Sequence, residues 1–165
     1  MTSRDIVVGL NSSPGAAGAL RWAAEEARLR RAPLRIVHTW DVPAVEAMTA
    51  RADLREATEA EAAELAVGWA EAALGTSELP GTLEIVHGEP AHVLVEASRD
   101  AGLLVLGTQE HVGLRRLVAG SVSHYCLAHA ECPVVAVPGA TTRRHGVPRP
   151  RVDEGSWQQS PGPLL

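Results

Sequence analysis

Five short apolar runs, separated by segments with helical spacing, constrain the fold of this chain more than any other feature. The runs are Ile6–Leu10, Leu34–Trp40, Leu83–His87, Leu103–Gly107 and Val134–Val137. Each run is continuously apolar rather than alternating, which is typical of parallel strands covered by helices on both faces. The sequence therefore predicts five buried strands that lie parallel in one sheet.

The segments between these runs carry apolar residues at helical spacing, and proline or glycine marks several of their ends. We predict helices through Leu20–Ala27 to the Arg28–Arg31 cluster, through Leu54–Ala73 with Gly75 closing it, over Pro90–Ser98 and over Ser121–Ala130. Strands that alternate with helices through right-handed crossovers form an open sheet with helices on both faces. The predicted fold class is a doubly wound α/β domain.

The composition limits which residues can fill the core and which kinds of chemistry and partner are available to the chain. The chain has no Phe and one Tyr, so we expect a core of Val, Leu, Ile and Ala with Trp22, Trp40 and Trp69 as its large fillers. Every cationic side chain is Arg, which excludes a Walker-loop lysine or a Schiff-base lysine. The net charge of -5 argues against a nucleic-acid partner.

Location and domain limits follow from equally simple features. The sequence has no stretch near the ~20 apolar residues that span a bilayer, and its start lacks the features of a signal peptide. Two cysteines, Cys126 and Cys132, fit a reducing compartment. We expect a cytoplasmic protein with no membrane partner, a single domain over residues 1–140 and a flexible tail over residues 141–165, where Arg, Gly, Pro and Gln dominate.

The loop from Gly107 to Ser123 is the candidate site. It joins a strand to a helix, and glycine lets a backbone approach a phosphate closely. The helix that starts near Ser121 would point its free N–H groups and its positive dipole end at the same place. Ligands of open α/β sheets bind at the carboxyl ends of strands where the strand order reverses. The loop therefore predicts a phosphate site, with ordinary turn glycines as the alternative interpretation of Gly107 and Gly120.

Several segments, in this order along the chain, resemble the universal stress protein family. They are Ile6–Pro14, Ala19–Ala27, Val37–Trp40, the Gly107 to Ser123 loop and the Cys132-Pro-Val that follows it. The resemblance covers roughly residues 5–138. It implies a sheet in the order 3-2-1-4-5, a pocket for ATP or a related adenine nucleotide, a homodimer paired through Val134–Val137 and a regulatory role in stress physiology.

The family's nucleotide-binding positions carry over residue by residue. The resemblance assigns the phosphates to Gly107, Gly120, Ser121, Val122 and Ser123, and the base and ribose to Gly9, Asn11 and the backbone of Thr39. Two positions differ from the family pattern: Glu110 replaces the second glycine of the loop motif, and Asn11 replaces the aspartate that follows the first strand. Asn11 keeps an acceptor oxygen, whereas Glu110 adds a negative charge.

Glu110 separates two hypotheses about function. A carboxylate ~4 Å from a phosphate costs about 1 kcal/mol in water and about 4 kcal/mol at a partly buried site. One hypothesis is a nucleotide-binding regulatory protein; the other is a dimeric interaction module whose pocket has decayed. An enzyme is not expected, because no Ser/His/acid set, nucleophile elbow or carboxylate pair can be assembled. No metal-ligand spacing occurs, so His38 and His87 are expected in packing and the cysteines in the core.

Overall fold

The computed structural model of the chain describes residues 5–41, 52–108 and 122–139, with side chains of the second helix described from residue 58 onward. The strands are β1 (Ile6–Gly9), β2 (Leu34–Trp40), β3 (Thr82–His87), β4 (Leu103–Thr108) and β5 (Val134–Pro138). They form one parallel sheet in the order β3-β2-β1-β4-β5. The predicted strands, their direction and their order are therefore confirmed.

The helices of the described residues are α1 (Pro14–Arg30), α2 (Ala52–Leu74), α3 (Pro90–Ser98) and α4 (Val122–His129). At the start of α1, the Ser13 hydroxyl accepts a hydrogen bond from the Ala16 amide, and Pro14 takes the first helical position. Gly75 follows α2 with a φ of 70°, a left-handed conformation that glycine adopts without strain. The predicted helices are confirmed over the residues that the structure describes.

The core has two layers, one on each face of the sheet. Ile6 and Val8 of β1 pack on the face covered by α1 and α2, whereas Val7 packs on the face covered by α3 and α4. The central strand is buried on both faces, which explains its uninterrupted apolar run. The edge strands β3 and β5 are only half-buried, although their sequences are equally apolar along much of their length.

Trp22 corrects one prediction about the core. Its side chain is 37% exposed, whereas Trp40 is only 9% exposed. The buried stripe of α1 consists mainly of small residues, which let the helix backbone approach the sheet closely, and Trp22 lies on the flank of that stripe. Cys126 is fully buried as predicted, but Cys132 is half-exposed because it precedes an edge strand.

No helix in the described part of the chain is both long enough and apolar enough to cross a bilayer. The predicted tail over residues 141–165 lies outside the described residues, as do Glu110, Gly120 and Ser121.

Candidate functional site

The carboxyl ends of β1 and β4 form the switch point of the sheet. From β1 the chain continues through α1 to β2 on one side, and from β4 it continues through α4 to β5 on the other. Neighbouring strands whose connections diverge in this way leave a crevice between their ends. The structure brings the following predicted site residues to this edge of the sheet: Gly9 at the end of β1, Thr39 near the end of β2, Gly107 near the end of β4, and Val122 and Ser123 in the first turn of α4.

The turn between β1 and α1 is organised by Asn11. Its side-chain oxygen accepts a hydrogen bond from the Ser13 amide at 2.9 Å, and Ser13 in turn caps α1. The side-chain oxygen of Asn11, which was expected to face the base and ribose, therefore accepts a hydrogen bond within the turn. Besides the second lone pair of that oxygen, Asn11 offers a ligand its amide N–H₂ group, a donor, where an aspartate would offer a second carboxylate oxygen.

His38 holds the same turn from the neighbouring strand. Its Nδ1 lies 3.0 Å from the Leu10 carbonyl oxygen, and because a carbonyl only accepts, Nδ1 carries the proton. The ring also meets Trp69 of α2 edge-on, with centroids 5.2 Å apart. Sequence reasoning predicted packing for His38, which is confirmed, but missed its link to the Leu10 carbonyl because that link depends on the register between β1 and β2.

Gly107 lies in extended backbone and serves close packing rather than a turn. A Cβ placed on Gly107 would overlap the backbone of Gly15 and Ala16, in the first turn of α1. In the reverse direction, a Cβ on Gly15 would lie 2.7 Å from the Thr108 carbonyl oxygen. Only glycines allow the start of α1 to approach the end of β4 so closely. The turn-glycine interpretation of Gly107 is wrong, and its predicted contact with phosphate stays a prediction.

Gly9 has an equivalent position on the other face of the sheet. A Cβ there would lie 3.1 Å from Cδ1 of Leu94 in α3 and 3.3 Å from Cδ2 of Leu106 in β4. Helices thus pack closely on the strand ends from both faces of the sheet, α1 at Gly107 and α3 at Gly9. This packing accounts for both glycines, whether or not they also touch a ligand.

The start of α4 supplies the electrostatic character of the crevice. Because α4 connects the carboxyl end of β4 to the amino end of β5, its first turn, with Val122 and Ser123, lies at the crevice edge of the sheet. The free N–H groups and the positive dipole end of a helix favour an anion at such a place. The arrangement fits a phosphate group, although Glu110, Gly120 and Ser121 lie outside the described residues.

A polar and aromatic group of side chains lies at the carboxyl ends of β2 and β3. The Trp40 and His87 rings meet edge-on with centroids 4.7 Å apart, and His87 Nε2 lies 3.5 Å from an Asp41 carboxylate oxygen. The indole N–H of Trp40 is buried and has no hydrogen-bond partner within the described part of the chain. The His87 ring packs against Trp40 as predicted, although the His87 side chain is 43% exposed.

Metal and thiol chemistry find no support in the described residues. Within residues 5–41, 52–108 and 122–139, no group of three or more His, Cys, Asp or Glu side chains is arranged to hold a metal ion. Burial, with a smaller contribution from the Glu89 charge, raises the pKa of the Cys126 thiol to about 11. Burial also raises the pKa of Cys132. A thiol with a raised pKa is a poor nucleophile, because the thiolate is the reactive form.

A groove among the described residues lies away from the crevice, at the opposite edge of the sheet. It encloses about 600 Å³ between the second half of α1 and the loop after α2, with Arg21, Arg28 and Arg31 on its wall. Arg21 donates a hydrogen bond to the Ala73 carbonyl at the carboxyl end of α2, and Arg28 is paired with Glu25. Helix carboxyl ends attract cations, so these arginines complete the local structure and the groove is not the candidate site.

Comparisons with a family model and with known proteins identify the same family. The model of the universal stress protein family matches residues 2–138. A universal stress protein of Mycolicibacterium smegmatis is 34% identical over 152 residues, a match that covers 87% of this chain and 51% of the relative. The chain thus spans about half the length of that relative.

Solved structures agree with the sequence comparison. The universal stress protein UspA from Lactobacillus plantarum superposes with a TM-score of 0.61 at 25% identity, covering 83% of this chain and 99% of that one. The universal stress protein from Archaeoglobus fulgidus in complex with dAMP gives a TM-score of 0.58 at 25% identity, with the same coverage of 83% and 99%. The fold, including its strand order, is therefore shared with proteins of known structure.

Proposed function

Because this chain belongs to the universal stress protein family, we propose that it binds ATP or a related adenine nucleotide at the carboxyl ends of β1 and β4. The bound nucleotide acts as a regulatory ligand in a stress response, and the protein is not an enzyme. The observation that carries this proposal is the start of α4 at the switch point of the sheet, where an anionic group is favoured. The dAMP complex of the Archaeoglobus fulgidus relative supports the choice of an adenine nucleotide.

In this proposal the phosphates meet the helix end and the base lies toward β2. Gly107, Gly120, Ser121, Val122 and Ser123 surround the phosphates, while Gly9, Asn11 and Thr39 meet the base and ribose. Asn11 donates from its amide to a ribose oxygen, because its own oxygen is held by the Ser13 amide. His38 fixes this turn through the Leu10 carbonyl and so positions Asn11 without touching the nucleotide.

Glu110 provides the test. Calorimetric titration with ATP and with dAMP compares the parent with Glu110→Gly and Glu110→Gln. The glycine variant is expected to bind ATP about tenfold more tightly or better, because ~1.4 kcal/mol is tenfold and the charge repulsion is about 1–4 kcal/mol. Glu110→Gln removes the charge but keeps a side chain, so it separates repulsion from backbone approach. ATP should gain more than dAMP, which carries fewer phosphate charges.

Gly120→Val is the opposing variant, since a β-branched side chain where the loop meets α4 would block the phosphates. Its ATP affinity should fall below that of the parent, and its circular dichroism should match. If neither the parent nor Glu110→Gly binds ATP or dAMP at millimolar concentration, the nucleotide proposal is wrong. A parent that already binds at micromolar concentration would show that Glu110 does not face the phosphates.

The second candidate function is an interaction module without a nucleotide. One observation favours it: the close packing of Gly9 and Gly107 against α3 and α1 accounts for both glycines without any ligand. In either case we propose a homodimer formed through β5, a short apolar strand at the edge of the sheet. An unpaired apolar edge is otherwise a liability for aggregation.

A further inference from the structure

The path of α3 leaves part of one sheet face at the margin of the helical layer. The helix leaves the carboxyl end of β3 and returns to the amino end of β4, which lies beyond β2 and β1 in the sheet. It therefore packs mainly on β2, β1 and β4. A groove of about 560 Å³ remains between α3 and the strands β2 and β3. Its volume lies within the range of ligand-binding clefts, ~300–1,000 Å³.

The floor of this groove is apolar and continuous with the core. Val37 of β2 and Val86 of β3 contribute from the sheet, and Val93 and Ala97 contribute from α3. Val37 is buried in the core on this face, and the other three are half-buried against the same core. The lining follows α3 from His92 to Asp100, a length of ~12 Å, which equals about four residues of extended chain.

The rim of the groove is acidic. Glu84 lies on β3, Glu96 on α3 and Asp100 shortly after α3. In the part of the chain that the structure describes, the lining holds one arginine, Arg35, which binds Glu84 through hydrogen bonds of 2.7 and 2.9 Å. Hydrogen bonding to Glu84, with a smaller contribution from the Asp100 charge, raises the pKa of Arg35. Arg99 binds Glu96 from outside the lining, but a carboxylate has about four acceptor sites and can bind a second cation.

We call this groove, with its valine floor and its rim of Glu84, Glu96 and Asp100, the acidic groove. It combines an excess of negative charge with apolar surface that is left half-exposed. Its occupant should therefore carry arginine or another cation together with apolar side chains, on a segment thin enough for a cleft ~12 Å long.

The chain itself contains a segment of this composition. Residues 141–152 hold four arginines and no acidic residue, in a chain whose net charge is -5, and they lie outside the described residues. The sequence Pro148-Arg-Pro-Arg151 has the length that the groove accepts. Its two prolines restrict the backbone to extended conformations, which lowers the entropic cost of docking. In an extended chain, Arg149 and Arg151 would lie on the same side, ~7 Å apart.

The length of chain after β5 allows this segment to reach the groove. The last described residue, Gly139, follows β5, and the groove at β2 and β3 lies three to four strand spacings away, ~14–19 Å across the sheet. The ten residues from Gly139 to Arg149 span up to ~33 Å. Arg143 and Arg144 are at most ~18 Å along the chain from Gly139, so they belong to the part that crosses the sheet.

We propose that the segment Pro148–Arg151 docks within its own chain in the acidic groove, where Arg149 and Arg151 pair with Glu96 and Asp100 and the prolines cover the valine floor. A tether of this length gives an effective concentration in the millimolar range, so contacts that are individually weak suffice. Exposed ion pairs are each weak and are screened by salt, so docking depends on both arginines and on ionic strength. The proposal does not depend on nucleotide binding.

Backbone NMR of the full chain at two ionic strengths tests the proposal. At about 10 mM salt the Debye length is ~30 Å, and at about 1 M it is ~3 Å. The heteronuclear NOEs of the Arg149 and Arg151 amides should show an ordered backbone at low salt and a flexible one at high salt. The amide signals of Val93 and Ala97 should shift over the same salt range, because these residues lie beneath the docked segment.

A pair of double variants locates the docking site. Glu96→Gln with Asp100→Asn removes two charges from the rim, and the docking constant, measured from the shift of the Ala97 amide, should fall about tenfold. Glu61→Gln with Glu64→Gln is the matched control, since it removes two exposed charges from α2 on the opposite face of the sheet and should change nothing.

The arginine side of the contact has its own pair of variants. Arg149→Gln with Arg151→Gln should weaken docking about tenfold, as the groove variant does, without changing any residue of the described fold. Arg143→Gln with Arg144→Gln removes the same charge from the crossing part and should weaken docking far less. Equal losses from the two arginine pairs would overturn the assignment of Pro148–Arg151 to the groove.

Charge exchange separates a lost contact from a folding defect. Glu96→Arg and Asp100→Arg, combined with Arg149→Glu and Arg151→Glu, should restore the ordered NOEs, which a damaged α3 would not do. A parent whose Arg149 and Arg151 amides are flexible even at low salt overturns the proposal, as does an equal loss of docking in the α2 control. Docking that weakens on dilution at constant salt would assign the occupant to a second copy and overturn docking within one chain.

Discussion

Gly107 near the end of β4 lies directly against Gly15 in the first turn of α1, and neither position has room for a Cβ. The contact joins the element that follows β1 to the strand that pairs with β1. It therefore holds the two sides of the switch point together. Glycines that resemble a ligand motif are required here by helix-to-strand packing in the first place.

Gly107→Ala should destabilise the protein by about 1–3 kcal/mol, because backbone atoms of Gly15 and Ala16 cannot move aside without shifting α1. Urea denaturation measures this loss. Gly68→Ala is the matched control: a Cβ there meets nothing within 4 Å in the middle of α2, so it should stabilise by ~0.5–1 kcal/mol. Equal stability of Gly107→Ala and the parent would contradict the packing role.

Gly9→Ala should cost less than Gly107→Ala. The atoms near a Cβ on Gly9 are the ends of the Leu94 and Leu106 side chains, at 3.1 and 3.3 Å, and these can shift by a few tenths of an ångström. We expect a loss of about 1 kcal/mol or less by the same urea titration. A larger loss for Gly9→Ala than for Gly107→Ala would show that α3 is held more rigidly than α1.

Cys126 should make stability fall at alkaline pH. Its folded pKa of about 11 lies above the ordinary value of 9.0, so the protonated thiol is favoured in the folded state. The contribution is complete below pH ~9 and is lost as the pH rises toward ~11, by about 2–3 kcal/mol in total. Urea denaturation at several pH values measures the slope, and the absence of lysine keeps this window simple.

Cys126→Ala is the control for this pH dependence. It should be less stable than the parent at neutral pH because it leaves a cavity, yet it should lose less stability between pH 9 and 11. Alkylation gives an independent reading: Cys132, half-exposed, should react in the folded protein, and Cys126 only after unfolding. An unchanged alkaline slope in Cys126→Ala would refute the assignment.

The ion pair between Arg35 and Glu84 should couple β2 to β3. Two hydrogen bonds of 2.7 and 2.9 Å join these side chains, which are 27% and 29% exposed. Hydrogen bonding to Glu84 raises the pKa of Arg35, as a favourable pair requires. A double-mutant cycle with Arg35→Met and Glu84→Leu should give a coupling free energy of about 1–2 kcal/mol.

The exposed pair of Arg28 and Glu25 on α1 serves as the comparison for that cycle. Both side chains are more than half exposed, at 68% and 58%, so water and salt screen their attraction. No measurable coupling is expected between them. If the exposed pair couples as strongly as Arg35 and Glu84, partial burial is not what strengthens the pair on the sheet.

The residues of β1 illustrate how much of the fold the sequence predicts. Ile6, Val7 and Val8 form a continuous apolar run because both faces of a central parallel strand are buried, and that pattern is local. The edge strands could not be recognised in the same way. β5 is as apolar as a central strand, and its half-buried state follows from having a neighbour on one side only.

The candidate site was predictable in position but not in the role of its residues. The resemblance placed Gly9, Asn11, Thr39 and Gly107 at one edge, where the structure also places them. Asn11 was assigned by its acceptor oxygen, yet that atom bonds the Ser13 amide. The contact of His38 with the Leu10 carbonyl has no local signal, because it depends on the pairing of β1 with β2.

The amino-acid sequence was sufficient to predict which segments become strands and helices, and the resemblance predicted the strand order and the family. Those properties depend on local apolar patterns, on proline and glycine at element ends and on motifs at fixed spacing. Two other properties came from the folded structure alone: Trp22 is exposed on the flank of α1 rather than buried in the core, and Gly107 is a packing glycine. Exposure and close approach depend on which elements become neighbours, and neighbours far apart in the chain leave no periodicity in the sequence.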